Sequence, residues 1–222
     1  MRLCGDRQKK LALLTVLGAL AWQMPGMALV ISPAQAETSA PAVTPSEASG
    51  MALYKRGLYP EALAEWKKAV EERHDMGAAY QLGVEYLDAK VVKRDVPTAM
   101  RYYRLAAEGG DARAQMDLGS LYDAGSGLKE DPGLAAKYYL AAAEQGLPTA
   151  QYNIAVMYES GTGIAKDPAR AYMYFYLADK AGFEPYAATE LERLTKTLPP
   201  EKIRQGTLLA ENFKPRKVSF AE

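Results

Sequence analysis

The chain has 222 residues, equal numbers of basic and acidic side chains (27 each) and 49% hydrophobic residues. That length and apolar content support one large domain or a short repeat array with a real core, and they exclude collagen-like and wholly disordered classes. The zero net charge excludes a strongly basic nucleic-acid binder. The single histidine, His74, excludes catalysis by several histidines, and the single cysteine, Cys4, excludes an internal disulfide and any multi-cysteine metal site.

The first segment reads as an export signal. Arg2, Arg7, Lys9 and Lys10 precede an apolar run from Leu11 to Trp22, and the small-x-small triplet Ala34-Gln35-Ala36 follows. This order predicts a signal peptide over 1–36 with cleavage before Glu37; Ala19-Leu20-Ala21 offers an alternative cut after Ala21. Only an uncleaved leader would anchor the chain in a membrane. Cys4 leaves with the leader, and the mature chain keeps 23 basic against 26 acidic side chains. Residues 37–50, ETSAPAVTPSEASG, contain no large apolar side chain and predict a disordered linker.

The body repeats every 36 residues. Identical triples recur at Ala78, Ala114, Ala150; at Tyr86, Tyr122, Tyr158; at Asp95, Asp131, Asp167; at Tyr102, Tyr138, Tyr174; at Ala106, Ala142, Ala178; and at Gly110, Gly146, Gly182. Three units follow, at 77–110, 111–146 and 147–182. Each reads as two helices. Ala79, Leu82, Gly83 and Tyr86 mark one face of the first helix. The Asp column caps the second, with Pro132 and Pro168 at its first position, and the Gly column ends it in a left-handed turn. Gly83 and Gly119 stand where helices approach closely, so Gly119→Leu is expected to destabilise through overpacking. Residues 51–76 read as a shorter helix pair, with Trp66 in its core. Residues 183–213 read as capping helices and 214–222 as a loose tail.

The motif A-x-x-x-L-G-x-x-Y, then G-x-G, D-x-x-x-A and Y-Y-x-x-A-A with a closing glycine, is similar to the Sel-1-like repeat of the tetratricopeptide-like superhelices. The similarity covers Gly77 to Gly182. Met51 to Val70 resembles the shorter tetratricopeptide unit, and the segment from Thr197 resembles a capping helix. One departure stands out: Ala89 and Val91 occupy the loop-glycine places of the first full unit. The resemblance implies an all-α solenoid of helix pairs, a right-handed superhelix closed by C-terminal capping helices. It also implies a non-catalytic scaffold or adaptor that binds a protein or peptide partner along a concave groove, as bacterial envelope members of the family do.

In such units the first helix faces the groove. The groove columns are then Tyr80, Met116, Tyr152; Gln81, Asp117, Asn153; Val84, Ser120, Val156; and Leu87, Asp123, Glu159, with Asp88 beside them. They vary between units while the core columns do not, as an adapted binding surface would; unconstrained solvent positions would vary too. The acids among them favour a partly basic peptide, with salt-sensitive affinity.

Chemistry is thinly represented. Ser126 and Lys129 match the S-x-x-K acyl-transfer spacing, but in a glycine loop, and Lys196-Thr197 lacks the companion glycine. His74 lies among Glu71, Glu72 and Asp75, where favourable interaction with a helix C-terminus, rather than a metal, is the expected reading. Most of the 15 tyrosines fill repeat columns. Lys214, Arg216 and Lys217 make too small a patch for nucleic acid. The expectation is a monomeric, periplasmic or extracellular protein without cofactor or metal that holds an envelope protein. A cell-wall-ligand binder or penicillin-interacting hydrolase, and a secreted host-directed effector, are the alternatives.

Overall fold

A computed structural model describes residues 44–126, 128–183 and 186–220; the leader, with both cleavage positions, lies outside them, as do Gly127 and Pro185. Within the described residues the chain forms ten α-helices and no strand: α1 (Glu47–Lys55), α2 (Tyr59–Arg73), α3 (Met76–Asp88), α4 (Val96–Glu108), α5 (Ala112–Ala124), α6 (Pro132–Glu144), α7 (Pro148–Ser160), α8 (Pro168–Lys180), α9 (Tyr186–Thr197) and α10 (Pro200–Glu211). Helices α3–α4, α5–α6 and α7–α8 pack as three pairs, and each pair stacks on the next. This is the expected all-α solenoid of helix pairs.

The repeated residues build the same joints in every unit. Asp95, Asp131 and Asp167 cap α4, α6 and α8 by accepting backbone N–H groups two or three residues on. Their own amides close the preceding loop, donating to the carbonyls of Tyr86, Tyr122 and Tyr158 at 2.9–3.0 Å. Those same tyrosines stack on Tyr102, Tyr138 and Tyr174, with ring centroids 6.0, 5.8 and 6.0 Å apart. Gly110, Gly146 and Gly182 leave the second helices at positive φ, as expected. The departure at Ala89 does not alter the turn. Ala89 takes the left-handed conformation itself (φ 57°), where Gly125 and Gly161 serve in the later units.

Both ends of the array hold more structure than their composition predicts. Helix α1 begins inside the segment expected to be a disordered linker. Ser46 and Ser49 form a reciprocal capping box, which defines a helix start whatever the apolar content. Tertiary contacts then hold it: Glu47 N–H donates to Asp75 (2.9 Å), Trp66 Nε1–H donates to the Glu47 carbonyl (3.1 Å), and Gly50 lies against the Trp66 ring. At the other end, α9 and α10 both pack on α8 and scarcely on each other. Gly206 permits the α10 crossing, since a Cβ there would lie 2.7 Å from the Ala169 carbonyl.

The expected loose tail, 214–222, is docked over its described length, 214–220. It runs extended from α10 back along the ends of the second helices. Arg216 N–H donates to the Glu144 carbonyl and Phe220 N–H to the Glu108 carbonyl, both at 2.9 Å. Buried Gln115 donates to the Val218 carbonyl at 2.8 Å, and Arg216 pairs with the Glu144 carboxylate. No long apolar run was needed. Backbone hydrogen bonds and one aromatic ring, Phe220, hold the segment.

Candidate functional site

The first helix of each pair presents its variable columns as expected: none of the thirteen groove residues is buried. Their surroundings divide them into two sets. Tyr80, Val84, Leu87 and Asp88 of α3 meet Asp117 and Ser120 of α5 around a depression of about 340 Å³, completed by Tyr103 and Leu121. Six of its eight lining residues are therefore columns read from the repeat. Met116 and Asn153 are joined by a contact from the Asn153 amide to the Met116 sulfur, at 3.8 Å. Asp123 and Val156 are exposed.

Tyr152 and Glu159 of α7 face a different neighbour. Tyr152 packs against Phe175, Phe183 and Tyr186, with centroids at 5.4, 5.3 and 6.4 Å. Glu159 pairs with Arg193 of α9 at 2.6 Å. The C-terminal cap thus engages both residues. At the other end Gln81 turns to α1 and donates to the Glu47 carboxylate at 2.8 Å.

The floor of the depression is aromatic and its charge is negative. Tyr80 and Tyr103 meet edge to face at 5.9 Å. Asp117 lies between them and the α5 backbone. Burial holds its carboxyl above the usual carboxylate range, and the charges of Asp111 and Asp88 push the same way; a hydrogen bond from the Tyr80 hydroxyl and the charge of Arg113 oppose them. Tyr80 is itself pushed up to about 12, first by burial and then by the Asp117 charge. A partly desolvated carboxylate with a second acid, Asp88, at the rim is a receptor for a cationic side chain.

Sequence reasoning missed Arg113. Its guanidinium lies over the Tyr80 ring at 4.5 Å and bridges Glu47 (2.7 Å) and Asp111 (2.6 Å). The exposed α3–α5 face and the N-terminal helix are thereby tied together. The column that holds it reads Gly77, Arg113, Thr149, so nothing periodic marks it. Tyr103 is 3% exposed and belongs to the core, yet it also lines the depression.

The chemical candidates remain apart. Ser126 and Lys129 are exposed in the loop between α5 and α6, with no helical turn to bring them together. His74 ends α2 in a left-handed conformation (φ 51°) and is exposed. Among the described residues no group of three His, Cys, Asp or Glu side chains is placed to hold a metal, and no helix is long and apolar enough to cross a membrane.

Comparison with known proteins places this architecture. The Sel1 repeat family model matches residues 77–111, 112–147 and 148–182. The solved Sel1 repeat protein from Oxalobacter formigenes is 36% identical, with a TM-score of 0.56; the match covers 59% of this chain and 97% of that one. The protein c5321, a protective antigen present in uropathogenic Escherichia coli strains and displaying an SLR fold, is 28% identical with a TM-score of 0.60; here the match covers 69% of this chain but 32% of that longer one. No curated protein matches the sequence. Three consecutive repeats, and a relative whose whole length is accounted for, show that the chain belongs to the Sel1 repeat family.

Proposed function

We propose that this chain is a non-catalytic scaffold that holds a protein or peptide partner of the cell envelope on its first-helix face, centred on the depression between α3 and α5. Sel1 repeat proteins are usually protein-interaction scaffolds. The observation that carries the reading here is the site itself: aromatic floor, aliphatic wall, and the two carboxylates Asp88 and Asp117, with six of its eight lining residues drawn from columns that vary in an otherwise constant frame. A peptide that lays a Lys or Arg on Asp117 and an apolar neighbour on Val84 and Leu87 satisfies every group in it. The cation favours the ionised carboxylate, so binding strengthens as pH rises through the Asp117 titration and weakens with salt. The periplasm is the proposed compartment, supported by the basic, apolar and A-x-A order of residues 1–36.

The test is in-cell cross-linking of the tagged protein, with mass spectrometry of the captured species. Its control is a Val84→Lys, Asp88→Lys variant whose folding is checked by circular dichroism. One envelope protein captured by the parent and lost by the folded variant is the expected result. Equal capture by both would refute the site, and no enrichment of any protein would refute the scaffold. Fractionation with N-terminal sequencing tests the compartment: a mature chain starting at Glu37 or Trp22 is expected, whereas an intact Met1 chain in the cytosol would overturn it.

A further inference from the structure

The docked segment 213–220 shows what the opposite side of the array can bind. Its Phe220 ring enters the crevice between α4 and α6, meeting Tyr138 edge-on at 5.5 Å beneath the Lys137 ammonium at 4.4 Å. The segment keeps step with the repeat: Arg216 and Phe220, four residues apart, take the carbonyls of Glu144 and Glu108, 36 residues apart. An extended backbone running antiparallel to the array therefore meets equivalent acceptors at two successive units. With Phe220 in place, Tyr138 is 8% exposed and Ala141 is 3% exposed.

The next crevice in the direction the segment runs has the same walls and no such side chain among the described residues. It lies between α2 and α4 and has a volume of about 530 Å³. Arg101 and Tyr102 stand one repeat before Lys137 and Tyr138, and Tyr102 is stacked on Tyr86 as Tyr138 is on Tyr122. Lys67 and Val70 of α2 form the facing wall. Here Tyr102 is half-buried, and Leu105, in the place of Ala141, is 37% exposed. Glu108, whose carbonyl holds Phe220, is also on the crevice rim.

We propose that the α2–α4 crevice is a binding site for an aromatic side chain carried on an extended segment of a partner protein, seated on Tyr102 and Leu105 beneath Arg101 as Phe220 is seated on Tyr138 beneath Lys137. Continuity with the docked segment gives the register, and the repeat gives the chemistry. The aromatic edge meets the Tyr102 ring, the Arg101 guanidinium covers its face, and Leu105 and Val70 supply the apolar wall. This site is separate from the depression between α3 and α5 and stands or falls without it.

The probe is an acetylated, amidated peptide with the sequence of residues 217–220, Lys-Val-Ser-Phe, titrated to about 5 mM into the isotopically labelled intact chain. In that chain the α4–α6 crevice is already filled. Saturable amide shifts at Val70, Arg101 and Leu105 are expected. They should be lost when the peptide carries Ala in place of Phe and when the protein carries Leu105→Asp, an exposed position whose substitution leaves the remaining spectrum intact. Three results would overturn the proposal: no saturable shift, equal shifts with the Ala peptide, or shifts confined to Tyr138 and Val218 from displacement of the native segment. Concentration-dependent shifts at Leu105 without peptide would also overturn it, by assigning the crevice to a second copy of this chain.

Discussion

Gly119 and Gly83 occupy the same column of consecutive units, yet the structure separates them sharply. A Cβ added at Gly119 would lie 2.5 Å from Cδ1 and 2.7 Å from Cε1 of Tyr139, whereas one added at Gly83 would meet the Tyr103 ring at 3.1–3.3 Å. Carbon atoms rest at about 3.5–4.0 Å, so Gly119→Ala drives the Tyr139 ring back by about 1 Å and Gly83→Ala displaces Tyr103 by a few tenths. Tyr139 has little room to move: it is 3% exposed, and its hydroxyl is hydrogen-bonded to Ser120 at 3.2 Å. Overpacking of this kind costs about 1–3 kcal/mol, and loss of the Ser120 bond adds about 1 kcal/mol. Mid-helix Gly→Ala returns about 1 kcal/mol of helix propensity in both variants. Gly119→Ala is therefore expected to lose about 1–3 kcal/mol while Gly83→Ala stays near neutral. Because propensity cancels between them, their difference isolates ring clearance. Urea unfolding followed by circular dichroism, with unchanged m-values, reads it; in thermal unfolding, at about 2–4 °C per kcal/mol for a chain this size, the gap amounts to roughly 2–12 °C. If Gly119→Ala proves as stable as Gly83→Ala, close packing of that column against the aromatic ring is refuted.

Three further outcomes follow from single residues. Ala89→Gly relieves a non-glycine left-handed conformation; after the added entropy of the unfolded chain is subtracted, a gain of about 0.5 kcal/mol in the same unfolding assay is expected. Gln151 Oε1 is buried without a hydrogen-bond partner among the described residues, while the equivalent Gln115 Oε1 accepts from Gln145 at 2.8 Å. Ala181 stands one repeat after Gln145, so Ala181→Gln supplies the missing donor and should add about 0.5–1 kcal/mol, an effect abolished in a Gln151→Leu background. Asp117 titrates above its ordinary range because it is buried. The folded state thus binds this proton more tightly than the unfolded state, and the cost of ionising it appears as pH rises through its folded pKa. Asp117→Asn should accordingly stabilise the protein at pH 7, with the advantage fading towards pH 3; an advantage independent of pH would exclude Asp117 ionisation as its cause.

The architecture was legible because its determinants are local and repeat. An Asp that caps, a Pro that starts, a Gly that stops and an alanine–tyrosine stripe each act within one turn or one helix contact, and the 36-residue period displays them three times. Ala89 shows the limit of reading the motif letter by letter. The turn is imposed by the packed helices on either side and by the Asp95–Tyr86 hydrogen bond (2.9 Å), so the residue follows the geometry at a modest cost. The two ends misled for the complementary reason. Ser46-Glu47-Ala48-Ser49 has the composition of a linker and the spacing of a capping box, and its helix depends on Trp66 and Asp75, which are distant in sequence. Lys214 to Phe220 is held chiefly by its backbone, which carries no compositional signal.

The site divides along the same line. Columns facing away from the core can be identified from the period alone, which is why Tyr80, Val84, Leu87, Asp88, Asp117 and Ser120 meet in one depression. Whether a column remains open is settled by what the non-repeating ends do, and those ends break the symmetry. Helix α9 pairs with Glu159, and the residues around its start pack on Tyr152 at one end of the face; Glu47 of α1 engages Gln81 and Arg113 at the other. The depression between α3 and α5, shared by the first two units, is left as the open part of a surface that the repeat alone would make uniform. The same logic runs on the opposite side, where the C-terminal segment fills one crevice and its described residues leave the equivalent one open. A repeat thus generates a row of similar surfaces, and its atypical ends decide which of them stay uncovered.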